Sequence, residues 1–373
     1  QELGVTDADA VKFWSGMVIS AHAVTMALMA PVWGTLADRY GRKLMVERAM
    51  FGGAVVIGLM GLAQSVQQLT LLRALQGMLT GTVAAATTLV ASTAPRERSG
   101  YALGMLQMAI YSGASVGPLL GGIIADTLGF QAAFWTTGLL LLSGGLMVMF
   151  LVKEDFHPSP RPSVNGWQAL REGVRPVLAS RPLLSALGVR LMMRTASRLM
   201  GPIIPLFVQA LAPAGQTATL AGTVRGANAA AGALGAILLG RVSDLVGRRQ
   251  VLLACALALS VLYTAQFFTT NITQLLLLQA GSGLAMGGTL AAISATLASL
   301  APEGYQGAVY GVDSTVVSIA NAVAPMVGTA LAVAWSLQTP FLAAAAFFSL
   351  AGLVAAHLLP RTGTSMPLPQ DKP

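Results

Sequence analysis

Apolar residues run along this chain in blocks of about twenty or more, each closed by a short polar or glycine-containing break. Blocks of that length cross roughly 30 Å of hydrocarbon at about 1.5 Å per residue, and in lipid a helix satisfies its own backbone. The pattern predicts eleven transmembrane helices, near 13–36, 44–64, 69–92, 101–125, 131–152, 183–211, 218–240, 250–269, 274–298, 305–333 and 340–359. One long break, rich in Pro and Arg, divides them. The expected organisation is a bundle over 1–152, a linker over 153–182, a second bundle over 183–360 and a tail over 361–373. Within the linker Trp167, Leu170, Val174 and Leu178 can share a helical face beside Arg171 and Arg175. A helix lying on the membrane surface and a plain solvated linker both fit that spacing.

Composition agrees with the pattern. The chain is 55% hydrophobic and 10% charged, with a mean hydropathy of +0.70, which is more apolar surface than one soluble core buries. The net charge of +8 is not spread as a nucleic-acid footprint would be. Arg39, Arg42, Lys43, Arg96, Arg98, Lys153, Arg161, Arg171, Arg175, Arg181, Arg241, Arg248 and Arg249 fall in alternate loops, whereas 65–68, 126–130, 212–217, 270–273 and 334–339 hold no Lys or Arg. By the positive-inside rule the basic loops, the linker and the tail are cytoplasmic. Trp14, Trp135 and Trp335 then sit at outer helix ends.

The single cysteine, Cys255, lies in an apolar block and reads as packing. His22, His157 and His357 are scattered without ligand spacing, and His22 too reads as packing. No metal, cofactor or nucleic-acid partner is expected. HExxH, paired Cys and His, and a nucleotide-binding loop are all missing from the sequence, which argues against an enzyme and against ATP as an energy source.

The chain repeats itself. Gly16, Gly34, Asp38, Gly41, Arg42, Lys43, Gly77 and Gly81 match Gly222, Gly240, Asp244, Gly247, Arg248, Arg249, Gly283 and Gly287, each pair 206 positions apart. At a shift of 207, Gly104, Pro118, Gly121 and Phe134 match Gly311, Pro325, Gly328 and Phe341. One fold is used twice. The predicted helix 183–211 has no partner in the first half, and the chain begins with Gln1, so the expectation is six plus six spans with the first helix lost.

Two six-helix halves in one orientation suit alternating access around a midplane site. "GTLADRYGRKL" and "GRVSDLVGRRQ" then join the second and third helix of each half on the cytoplasmic side. Asp38 at a helix end can meet the positive N-terminus of a helix in the other half, and arginines can bridge to carbonyls. Gly34, Asp38, Arg39, Gly41, Arg42 and Lys43, with Gly240, Asp244, Gly247, Arg248 and Arg249, are therefore expected to form a conformational latch.

These residues carry a resemblance. "GTLADRYGRK" resembles the loop motif of the major facilitator superfamily, and "RALQG", Arg73 to Gly77, resembles its fourth-helix motif. "GASVGPLLGG", with Gly113, Gly117, Pro118, Gly121 and Gly122, is similar to the fifth-helix motif of its drug/proton antiporters, in the manner of twelve-helix MdtG-type exporters. The resemblance implies an all-α membrane fold of two pseudo-symmetric bundles with eleven of twelve helices present. It also implies proton-driven efflux of amphiphilic compounds, with Asp38 gating and Arg73 in proton coupling. The second half departs from it: Gln279 matches Arg73, and Ala320 and Ala324 match Gly113 and Gly117.

A guanidinium inside a helix costs about 2.5–3.5 kcal/mol, and the half that carries Gln279 does without one, so function explains Arg73 better than architecture does. Gly113, Gly117 and Gly121 recur every four residues and are expected to bring a neighbouring backbone close, beside a bend at Pro118. Packing and leak control both fit. "RLMMRTASRLM" places Arg190, Arg194 and Arg198 on one face, roughly 10, 16 and 22 Å deep by the helical rise, too deep for all to reach one surface. Arg225 follows in the next helix. An ion pair of Arg190 or Arg194 with Asp313 is expected, and the remaining arginines favour acidic, zwitterionic or neutral substrates. Substrate contact and a purely structural network stay open. Asp313 is the best visible proton site. Glu47 reads as interfacial, and Asp126 lies at an outer end. The expected function is a proton-coupled exporter of small molecules, acting as a monomer in the bilayer, with a small-anion carrier as the alternative.

Overall fold

The computed structural model describes residues 3–93, 99–154, 179–213, 215–301 and 306–358. The linker residues 155–178 and the tail lie outside this set, and so do the side chains of Asp38 and Arg39. Twelve helices occur among the described residues. The first half holds α1 (Ala8–Tyr40), α2 (Arg42–Met60), α3 (Val66–Leu79), α4 (Thr82–Thr93), α5 (Ser99–Leu128) and α6 (Phe130–Leu151). The second holds α7 (Arg181–Leu211), α8 (Thr217–Val246), α9 (Arg248–Phe267), α10 (Ile272–Leu300), α11 (Gln306–Ala334) and α12 (Thr339–Leu358).

Local chemistry starts these helices where the sequence provides a cap. The side chains of Asp7, Ser65 and Asn271 accept from the amides of Ala10, Gln68 and Gln274 at 2.7, 3.3 and 2.9 Å, which satisfies amides that have no partner within the helix. Between α1 and α2, and again between α8 and α9, the chain turns on a single glycine. Gly41 has φ +100° and ψ 154°, and Gly247 has φ +111° and ψ 137°. Each donates back to the helix it ends, to Ala37 and Ser243, at 3.1 Å.

The same helix pairs pack in both halves. α2 lies on α6 as α9 lies on α12, and α1 lies on α3 as α8 lies on α10. The larger core belongs to the second half. There Phe207, Phe341, Tyr263 and Phe348 stack edge-on or tilted, with ring centroids 5.2–6.5 Å apart. In the first half Val56, Ile57 and Met60 form a smaller cluster.

One expectation is corrected. The span drawn over 69–92 is two helices, broken at Thr80–Gly81, where Gly81 takes φ +123°. At the break the Gln76 carbonyl accepts from both the Thr80 amide at 2.8 Å and the Thr80 hydroxyl at 2.7 Å, and the Met78 carbonyl accepts from the Trp33 indole of α1 at 2.6 Å. The matching Gly287 sits within continuous α10, against the backbone of Gly232 and Ala236. Among the described residues, eight of the twelve helices are by themselves long and apolar enough to cross a membrane. The exceptions are the short α3 and α4, α2 with Arg42, Lys43, Glu47 and Arg48, and α7 with its arginines. Of these, α2, α3 and α7 rely on neighbours to cover their charges.

Candidate functional site

The charged turns are built alike in the two halves. Lys43 Nζ donates to the Met149 carbonyl of α6 at 2.8 Å, and Arg249 donates to the Ala355 and Ala356 carbonyls of α12. Each pins the start of one helix to the end of another in the same half, with a cation on the negative helix end. Arg248 also reaches the Ala295 carbonyl of α10 at 2.9 Å. Glu154, which the sequence reading missed, caps α2 by accepting from the amides of Arg42 and Lys43 at 3.0 and 2.8 Å. Glu47 stays local, 3.6 Å from Lys43. Gly34 is open around its Cα, and exposed Asp244 has no polar partner among the described residues. Gly240 packs against Ala291 of its own half.

The arginine face of α7 meets α10 and α11. Arg190 Nε lies 3.1 Å from Asp313 Oδ1, its Nη2 donates to Oδ2 at 3.2 Å, and its Nη1 donates to the Ser294 hydroxyl at 3.3 Å. Of the two expected partners it is Arg190 that takes the carboxylate. Arg225 of α8 donates to the Gly201 carbonyl, so it is not unmatched. Arg194 and Arg198 remain: the Nε of each is buried without a hydrogen bond, and no carboxylate among the described residues pairs with either. Two guanidiniums beside one neutralised pair leave an excess of positive charge at this level of the bundle.

In the first half Arg73 lies beside His22, and its Nη1 donates to the Gln76 side chain at 3.0 Å. The repeat gives this position two chemistries. Asn228 and Gln279 replace His22 and Arg73, and they join Gln266 and Ser282 in a chain of hydrogen bonds of 2.8–3.1 Å. The second half is neutral and locked at this point; the first half is cationic.

The halves meet through α5 with α8 and α1 with α11, and to a lesser extent α1 with α7. The first two seams are pseudo-symmetric. A Cβ at Gly222 would press on the Pro118 carbonyl group, and one at Gly16 would come 3.2 Å from the Pro325 carbonyl oxygen. A Cβ at Gly122 would stand 2.9 Å from the Thr219 Cα, and one at Gly226 2.5 Å from the Ser115 carbonyl oxygen. Small residues are what allow such approach. Gly113, Gly117 and Gly121, expected to supply it, have no atom of another element within 4 Å of a Cβ position. The seam uses Pro118 and Gly122, which lie one residue on and therefore about 100° around the helix. These contacts all lie toward the helix ends opposite the basic turns.

A family model for the Major Facilitator Superfamily matches residues 1–212 and 186–373. The chain is 32% identical over 374 residues to the multidrug resistance protein MdtG of Enterobacter lignolyticus, covering 100% of this chain and 88% of that one. It is 34% identical over 342 residues to MdtG of Citrobacter koseri, covering 91% and 84%. Among solved structures it resembles a bacterial homologue of the human lysosomal transporter Spinster in an inward-facing and occupied conformation, with TM-score 0.78, 16% identity and coverage of 93% and 90%. It also resembles the nucleoside transporter NupG, with TM-score 0.76, 11% identity and coverage of 93% and 91%.

Proposed function

The chain belongs to the major facilitator superfamily, a multi-pass membrane carrier and not an enzyme, and from that premise we propose that it exports amphiphilic drugs in exchange for protons. The observation that supports alternating access is the pair of glycine seams, which among the described residues lie toward the helix ends opposite the basic turns. Two bundles fastened at one end leave the hollow between them reachable from the other. With the basic turns cytoplasmic, this is the pose open to the cytoplasm, and the Asp38 and Asp244 loops latch the opposite one. The membrane is the bacterial inner membrane, and the working unit is a monomer of two bundles, 1–152 and 183–360, joined by a cytoplasmic linker.

Arg190 and Asp313 supply a coupling site. A substrate group that competes for Arg190 leaves the Asp313 carboxylate less compensated, which favours its protonation. Arg73 serves coupling in the first half. An inward proton contributes about 1.4 kcal/mol per pH unit and about 2.3 kcal/mol per 100 mV, enough to drive export against a gradient of tenfold or more. A second reading, carriage of a small anionic metabolite, is favoured by Arg194 and Arg198, neither of which forms an ion pair with a carboxylate among the described residues.

Dye transport in energised everted vesicles tests both. Asp38→Asn and Arg73→Ala are each expected to cut uptake of fluorescent drugs at least tenfold, and a protonophore to abolish it; unchanged uptake contradicts the mechanism. Arg194→Ala is expected to impair acidic dyes more than cationic ones. Transport of one organic acid with no effect on unrelated drugs selects the second reading.

A further inference from the structure

The glycine seams explain how closely the halves approach but not what holds them. Two charged side chains bridge them at their outermost turns. Asp126, in the last turn of α5, accepts from the α8 amides of Ala218 at 3.1 Å and Thr219 at 2.7 Å, one with each carboxylate oxygen. Lys12, in the first turns of α1, donates to the Ala332 carbonyl near the end of α11 at 3.2 Å, while also pairing with Asp9 at 2.8 Å. A carboxylate meets the positive end of one helix and an ammonium the negative end of another, each across the boundary between halves. The repeat shows that these are additions to the common fold: Val333 stands where the second half would carry Asp126, and Ala218 where it would carry Lys12.

We propose that Asp126 and Lys12 form an outer clasp, the counterpart of the basic-face latch, which sets how much of the population stays closed at this face. This rests on the alternating-access reading. Because α5 must leave α8 for the outer face to open, both charge-assisted hydrogen bonds of Asp126 are made in one pose and lost in the other. Asp126 is the principal member, since it satisfies two amides that lack helical partners; Lys12 shares its charge with Asp9 and acts more weakly.

Spin labels at Gln67 and Thr273, equivalent exposed positions near this face in the two halves, read the opening by pulsed dipolar spectroscopy in a Cys255→Ser background. Asp126→Asn keeps size and one acceptor but removes the charge, and is expected to raise the ratio of long to short distances roughly tenfold. Lys12→Ala should raise it less, and Asp126→Glu should restore most of the closed population. A distribution unmoved by Asp126→Asn and by Asp126→Ala overturns the clasp. Asp38→Asn separates the two ideas: if it or added substrate shifts the distances while the Asp126 variants do not, alternating access stands and the clasp falls. If no variant and no substrate shifts them, both fall.

Discussion

At the scale of single residues, the two turns on the basic face show how a glycine and a cation divide one task. Gly41 and Gly247 hold backbone angles that side-chain-bearing residues scarcely adopt. Gly247→Ala is expected to cost about 1–3 kcal/mol through that strain, seen as a lower thermal midpoint of the purified protein. The turn motifs were legible because both halves repeat them, and their positional match places Lys43 and Arg249 on equivalent carbonyls of α6 and α12. Glu154 was not legible. It lies far along the chain from the amides it caps, and position 361 of the second half is Arg, so the repeat gives no signal for it. Glu154→Ala should destabilise by about 0.5–2 kcal/mol, as loss of a helix cap does, with Glu154→Gln intermediate. Measured melting in detergent orders the three proteins.

At the scale of helices, block length and the repeat foretold where the spans lie, because hydrocarbon thickness fixes how many apolar residues a helix needs. They did not foretell the break between α3 and α4, since Gly81 and its match Gly287 look alike in sequence and differ only in what surrounds them. The Trp33 indole supports the break from α1, and the guanidinium of Arg48 lies 3.4 Å over the same ring. Trp33→Phe keeps the ring but leaves the Met78 carbonyl without its donor, a loss of about 0.5–1.5 kcal/mol. Hydrogen exchange should quicken at residues 79–83 while the core of α10 keeps its protection; equal change in both would place the support elsewhere. The fifth-helix glycines teach a related point. Their four-residue spacing was visible, but the contacting face is set by the partner helix, and one residue's rotation moves the seam to Pro118 and Gly122.

At the scale of the whole molecule, two bundles of common descent differ in charge where it matters for transport. The first carries Arg73 beside His22, the second a neutral Asn228–Gln279 network, and the ion pair of Arg190 with Asp313 sits beside Arg194 and Arg198, which form no ion pair among the described residues. The halves meet along the seams of α5 with α8 and α1 with α11, which the proposed mechanism uses as a pivot surface. Gly222→Leu would force a side chain into the Pro118 backbone and should spring this face open, reducing drug transport in vesicles at least tenfold without loss of protein from the membrane. Rocking of one bundle against the other makes a demand that no rigid channel meets. Label pairs at the equivalent exposed positions Leu44 and Gln250, on the basic face, and at Gln67 and Thr273, on the opposite face, report both ends of the same motion. On addition of substrate or a change of pH the two distances are expected to change in opposite senses, one shortening as the other lengthens. If both change in the same sense, or neither changes while transport proceeds, the halves do not rock about a shared centre.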